Sequence, residues 1–253
     1  LKSKLLFFTL VLSFTFSSVF QGNPSSTKAA TFTANASVSS STLTAFEKPN
    51  AKSKKLGAFK KGNSILVYSS RDGGWSEVRV NKKVAYVATS GLQFSYKMNT
   101  KYIYEYRGGT GMIDKFRYIS SKNGTNHWKL YYERLAVDDP EYYNYYESED
   151  NNSYYSVLDY GYGDKSKFVN LKKPIKPGTK WSYNDFPAEI IATGKKLTVP
   201  AGVFYNVVVV QVGPDSDSSL LYYAPGYGLL REDDGDHEHD YTYSYQLEKL
   251  RTN

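Results

Sequence analysis

No stretch of this 253-residue chain repeats its apolar residues with a helical period. From Thr42 onward, Gly, Pro, Asn and Asp cut it into short β-prone runs. In the first part these runs cover residues 42–46, 55–59, 64–69, 75–80 and 83–88. They are separated by Pro49-Asn50, Lys61-Gly62-Asn63, Arg71-Asp72-Gly73-Gly74 and Asn81-Lys82. Five short strands at that spacing predict a small barrel. Residues 97–253 continue the pattern, with strand-like runs at 101–107, 115–120, 128–133, 154–158, 180–183, 188–193, 196–199, 205–212, 220–224, 229–232 and 241–247. The four valines Val207 to Val210 predict a strand buried on both faces. Runs 101–107 and 241–247 alternate Tyr with polar residues, which predicts one exposed face. The expected fold class is all-β, a small barrel followed by a larger antiparallel sheet that is curved or barrel-like.

The start of the chain has a different character. Lys2 and Lys4 precede an apolar run over residues 5–20, diluted only by Ser and Thr, and small polar residues follow. That order is expected of a secretory signal peptide, assigned to residues 1–29. A membrane anchor is the competing reading, but a span needs about 20 predominantly apolar residues. Cleavage is expected near Ala29, with Ala34-Asn35-Ala36 as a second small-x-small site. Residues 30–41 read as a flexible leader. The chain has no cysteine. Lipid attachment through a lipobox and catalysis by a thiolate are therefore excluded, and export without disulfides suits a Gram-positive bacterium. Residues 1–100 carry 14 Lys/Arg against 3 Asp/Glu, and the remainder 18 against 22. A basic front half favours anionic partners. For an exported chain these are wall polymers rather than nucleic acid, and no membrane span is expected to remain after processing.

Residues 42–95 resemble a bacterial SH3 domain. Leu43-Thr44-Ala45 stands where that family begins with a Leu-Asn-Val-like strand, and Pro49 where it carries a turn proline. Leu56-Gly57 and Lys60-Lys61-Gly62 match its I-G-x-L-K-K-G segment. Gly74-Trp75-Ser76-Glu77-Val78 matches G-W-x-x-V, and Lys83-Val84-Ala85-Tyr86-Val87 stands where G-x-x-G-W-V is usual. Phe46, Lys48 and Ala85 replace the family's Arg, Gly and Gly. The resemblance implies an SH3-like barrel that associates with cell-wall peptidoglycan. Phe46, Tyr68, Trp75 and Tyr86 are the candidate ligand-binding residues, because large rings with polar tips suit shallow peptide or glycan grooves. The alternative is that Phe46 and Trp75 fill the small core. Exposed Lys52, Lys54, Lys55, Lys60, Lys61, Lys82 and Lys83 would add attraction to anionic wall polymer.

Residues 97–253 also carry a resemblance. Gly178-Thr179-Lys180-Trp181, Pro200-Ala201-Gly202-Val203-Phe204 and Ala224-Pro225-Gly226-Tyr227-Gly228-Leu229 follow in order. The order is similar to an uncharacterised β-rich domain of Gram-positive secreted and lipoproteins. Gly and Pro there set hairpin geometry, and Trp181 and Phe204 are expected to plug a barrel.

Chemistry-bearing clusters are few. His237 and His239 would share one face of a strand, and with Asp236 they form a candidate zinc or calcium site. An empty acidic hairpin tip is the alternative, and no other cofactor is expected. The tyrosines of residues 138–155 fit either an open binding loop or a long hairpin. Glu133, Asp138, Asp139 and Glu141 are close in sequence, but glycan hydrolysis needs two acids placed across a bond. No nucleophile elbow, phosphate loop or nucleotide fingerprint occurs. The expected function is a non-enzymatic, secreted, wall-associated binding protein. Two alternatives are a peptidoglycan hydrolase with the second domain as catalyst, and a carrier holding an apolar ligand in that domain.

Overall fold

The computed structural model describes residues 33–71, 73–109, 111–132, 142–161, 163–214, 218–233 and 245–252. The expected signal segment and the candidate metal residues Asp236, His237 and His239 lie outside them. Among the described residues the only helical element is a 3-10 turn at Thr89–Gly91. No described helix is long and apolar enough to cross a membrane.

The first eight strands build a small two-sheet unit. They are β1 (Ala34–Val38), β2 (Thr42–Phe46), β3 (Lys55–Lys60), β4 (Ser64–Val67), β5 (Ser69–Arg71), β6 (Trp75–Val80), β7 (Lys83–Ala88) and β8 (Leu92–Phe94). One sheet runs β4-β1-β8 and the other β3-β2-β7-β6-β5. Alternation decides the core: Val38, Ala45, Val67, Val78, Ala85 and Val87 point inward and are buried. Asn81 and Lys82 both take positive φ, 49° and 65°, which closes the β6–β7 hairpin as a type I′ turn. The expected flexible leader is corrected in part. Its residues 34–38 form β1, the middle strand of the three-stranded sheet, with Ala34, Ala36 and Val38 buried. Small residues at alternate positions are what lets that strand pack so closely; the same composition in sequence reads as a linker.

The other twelve strands form one antiparallel sheet. They are β9 (Tyr102–Gly108), β10 (Ile113–Lys122), β11 (Thr125–Tyr132), β12 (Tyr143–Glu149), β13 (Ser153–Gly161), β14 (Asp164–Lys172), β15 (Lys180–Tyr183), β16 (Phe186–Val199), β17 (Gly202–Val212), β18 (Ser219–Ala224), β19 (Gly228–Asp233) and β20 (Tyr245–Thr252). Their order is β14-β13-β12-β11-β10-β9-β20-β19-β18-β17-β16-β15. The two edge strands meet without a backbone ladder. Trp181 Nε1 donates to the Val169 carbonyl at 2.7 Å, and Phe168 lies against Tyr183 at 5.4 Å. A side-chain seam thus nearly closes the sheet into a barrel. Phe204 is buried as expected, while Trp181 sits at the seam. Val207 to Val210 are all buried, in keeping with a strand covered on both faces.

The segment joining the two units enters one end of the barrel. Tyr96 and Met98 are buried there. Gly226 N–H donates to the Ser95 carbonyl, and Asn99 N–H to the Gly226 carbonyl, both at 2.9 Å. Met98 N–H is held by both oxygens of Glu147, at 3.1 and 3.0 Å. Tyr96 N–H reaches Glu149 at 3.2 Å, which also pairs with Lys173 at 3.0 Å. The small unit is therefore fastened to the barrel by carboxylates that point in from β12.

Candidate binding sites: a tyrosine-lined lumen and an aromatic outer face

Side chains at alternate positions of ten barrel strands converge on a cavity of about 520 Å³. Its wall is mostly rings that lock together around the circumference. Tyr106 stacks on Tyr245 at 4.9 Å and 4°. Phe116 meets Tyr106 edge-on at 5.5 Å and Tyr145 at 5.1 Å. Tyr154 meets Tyr223 at 6.3 Å. Edge-to-face contacts of this kind add about 0.5–1.5 kcal/mol each beyond area burial. Leu130, Leu158, Leu229 and Met98 fill the spaces between rings, and Asp114, Ser156, Asn170 and Glu232 are the polar members. Burial pushes the hydroxyls of Tyr106, Tyr154, Tyr223 and Tyr245 well above the usual tyrosine range, and that of Tyr183 up to about 12. They remain neutral hydrogen-bonding groups.

Glu147 lies at the end of the lumen that the joining segment enters. Besides Met98 N–H it receives Asn126 Nδ2 at 2.9 Å, Trp128 Nε1 at 3.1 Å and the Tyr154 hydroxyl at 3.0 Å. Desolvation raises its carboxyl from 4.5 to about 7, against the downward pull of these donors. With its oxygens saturated it serves as an anchor for the segment. Glu105, the other buried carboxylate among the described residues, is paired with Arg251 at 2.8 Å.

A second cavity of about 660 Å³ opens between the small unit and the barrel, lined in part by Thr89, Phe94, Tyr96, Ile175 and Asn206. Its one charged side chain is Lys173, already paired with Glu149.

The candidate ligand residues of the small unit come together on its outer face. Phe46 and Tyr86 are register partners between β2 and β7. Trp75 meets Phe46 edge-on at 5.8 Å. Arg71 lies over Tyr86 at 5.4 Å and pairs with Glu77 at 3.8 Å. Arg79 lies over Tyr68 at 4.0 Å and pairs with Glu77 at 2.6 Å. All four rings are half-buried. The alternative that Phe46 and Trp75 fill the core does not hold, since the core belongs to the aliphatic residues of the opposite face. The seven candidate lysines are exposed.

Other expectations fare differently. Among the described residues no group of three or more His, Asp or Glu is placed to hold a metal. Glu133, Asp138, Asp139 and Glu141 lie outside the described residues. Residues 143–149 and 153–161 pair as the β12–β13 hairpin, so the hairpin reading of that tyrosine-rich stretch stands over the open loop. The expected exposed face of 101–107 is corrected: Tyr104 and Tyr106 face the interior, and Glu105 on the other face is covered by Arg251. Sequence reasoning missed the lumen residues as a set. Their signal was Tyr at alternate positions on several strands, which reads equally as an exposed face until the sheet closes.

No protein-family model and no curated protein matches the chain. Two solved structures are similar to it. One is a "putative exported protein with YMCC-like fold" from Bacteroides fragilis, 13% identical, covering 62% of this chain and 99% of its own, with a TM-score of 0.41. The other is a "putative lipoprotein" from Parabacteroides distasonis, 14% identical, covering 62% of this chain and 97% of its own, with a TM-score of 0.40.

Proposed function

We propose that the protein is a non-enzymatic, exported binding protein of the cell envelope whose barrel lumen carries a small ligand. The lumen is the observation that carries this reading. Its volume of about 520 Å³ falls within the range of roughly 300–1,000 Å³ common for small-molecule sites. It combines a ring-rich wall with a few convergent polar groups, the usual composition of such sites. The buried carboxylates are engaged in anchoring, which favours binding over hydrolysis. Export rests on the signal-like character of residues 1–29.

A fluorescent apolar probe tests the carrier reading. N-phenyl-1-naphthylamine is expected to brighten on addition to the purified protein. A Leu158→Trp variant, which fills the lumen, is expected to lose most of that signal while keeping its β circular-dichroism spectrum. Equal brightening in both proteins would place the probe elsewhere and contradict the reading.

A second reading concerns attachment. The outer face gathers Phe46, Trp75, Tyr86 and Tyr68 beside Arg71 and Arg79, with exposed lysines around it. Half-exposed rings and arginines favour association with peptidoglycan or an anionic wall polymer. This is also the role implied by the resemblance of residues 42–95 to bacterial SH3 domains. Failure of the full chain to sediment with purified Gram-positive walls at low salt would contradict it.

A further inference from the structure

We infer that the lumen selects an organic cation, a tertiary or quaternary ammonium group carried on an apolar body. The inference rests on the carrier reading and names the ligand class for it. Two carboxyl groups, Asp114 and Glu232, are among the residues lining the cavity, and none of the described lining residues is Lys, Arg or His. The two acids flank one ring. Glu232 is the register partner of Tyr245 across β19 and β20, and the Tyr245 hydroxyl is hydrogen-bonded to Asp114. Tyr106 stacks on the other side of Tyr245. A cation entering this part of the lumen meets ring faces and acidic oxygens together.

Each part of that wall discriminates by a known effect. Ring faces carry negative quadrupole charge and attract a cation held within about 6 Å, most strongly where water is excluded. An ammonium whose hydrogens are replaced by alkyl groups gives up little hydration on entry and needs no hydrogen-bond acceptors. A primary ammonium would have to exchange its water for acceptors that the rings do not supply. An anion meets two acids and no basic partner in the described wall. The tyrosine hydroxyls do not offer a compensating site, because they already serve the protein: Tyr154 donates to Glu147, and Tyr106 to the Leu229 carbonyl. The cavity is larger than an ammonium head alone, so the remainder of the ligand lies against Leu130, Leu158 and Leu229.

The test compares two probes of nearly the same shape, phenyltrimethylammonium and its neutral isostere tert-butylbenzene. Each is titrated into the full chain and followed by methyl NMR of Met98, Leu158 and Leu229. The cation is expected to bind at least ten-fold more tightly than the isostere. Glu232→Gln and Asp114→Asn are each expected to weaken the cation by three-fold or more and to leave the isostere within two-fold. Two variants guard against loss of fold in one, and unchanged spectra away from the lumen confirm that each is folded. Equal binding of the two probes, or tighter binding of tert-butylbenzene, would overturn the cation inference while leaving the carrier reading in place. Binding of neither, with N-phenyl-1-naphthylamine still entering, would do the same. Exclusion of all three probes would overturn both.

Discussion

The barrel lumen and the outer face of the small unit are both built from aromatic residues, yet the rings do different work. In the lumen, rings interlock with one another and their hydroxyls are used internally, as Tyr154 on Glu147 and Tyr106 on Leu229 show. On the outer face the rings are half-buried and paired with arginines, Arg71 over Tyr86 and Arg79 over Tyr68. Closure makes the difference. A sheet nearly closed on itself turns alternate side chains into an enclosed wall, whereas a small two-sheet unit buries only aliphatic residues and leaves its rings outside. Aromatic content alone therefore says little about role; which face of which sheet carries the ring decides it.

Ring removal on the two sides should separate them most widely. Trp128 is fully buried, edge-on to Tyr104 at 5.7 Å and bonded to Glu147. Trp128→Ala is expected to cost about 3–5 kcal/mol, read as a shift of the urea midpoint. Trp75→Ala removes a half-buried ring whose main ring partner is Phe46, and is expected to cost about 1 kcal/mol while reducing wall sedimentation several-fold. Equal losses of stability would erase the distinction.

The anchoring carboxyl gives a smaller effect of definite sign. Glu147 titrates at about 7 in the folded protein against 4.5 ordinarily. Between those values the folded state holds a proton that the unfolded state has released. Its contribution is therefore present in full below pH 4.5 and lost as pH rises through about 7, for a total of roughly 3 kcal/mol. Glu147→Gln is expected to remove this component, so that wild type loses stability relative to the variant from pH 4.5 to 7.5 in urea titrations. Parallel pH profiles would contradict the assignment.

Salt should act on one region only. Raising ionic strength toward 0.5 M is expected to weaken wall sedimentation by screening the exposed lysines, and to leave N-phenyl-1-naphthylamine fluorescence in the lumen nearly unchanged.

Much of this architecture was legible in the chain. The run at 42–46 is β2, 75–80 is β6, 83–88 is β7 and 180–183 is β15, because β-branched and aromatic residues there are bounded by Asn, Gly and Pro. Residues 34–38 were not legible as a strand, since small residues in Ser/Thr-rich sequence resemble a linker until a partner sheet covers them. Strands β12 and β14 were hidden for a related reason. Acidic and basic residues dilute 143–149 and 164–172, and the barrel holds them by register with β13 rather than by their own apolar content. The outer-face residues were found from a local motif. The lumen was not, because it is a property of closure: Tyr106, Tyr154 and Tyr245 become neighbours of one cavity only when strands distant in sequence share a wall.

The most direct measurement is methyl and aromatic NMR of the full chain as N-phenyl-1-naphthylamine is added. Signals of Met98, Leu158, Leu229 and Tyr245 are expected to shift together with a single saturation curve, while those of Phe46, Trp75 and Val84 stay in place. Shifts confined to Phe46 and Trp75, or no shift at any lumen residue, would contradict the lumen as the site of binding.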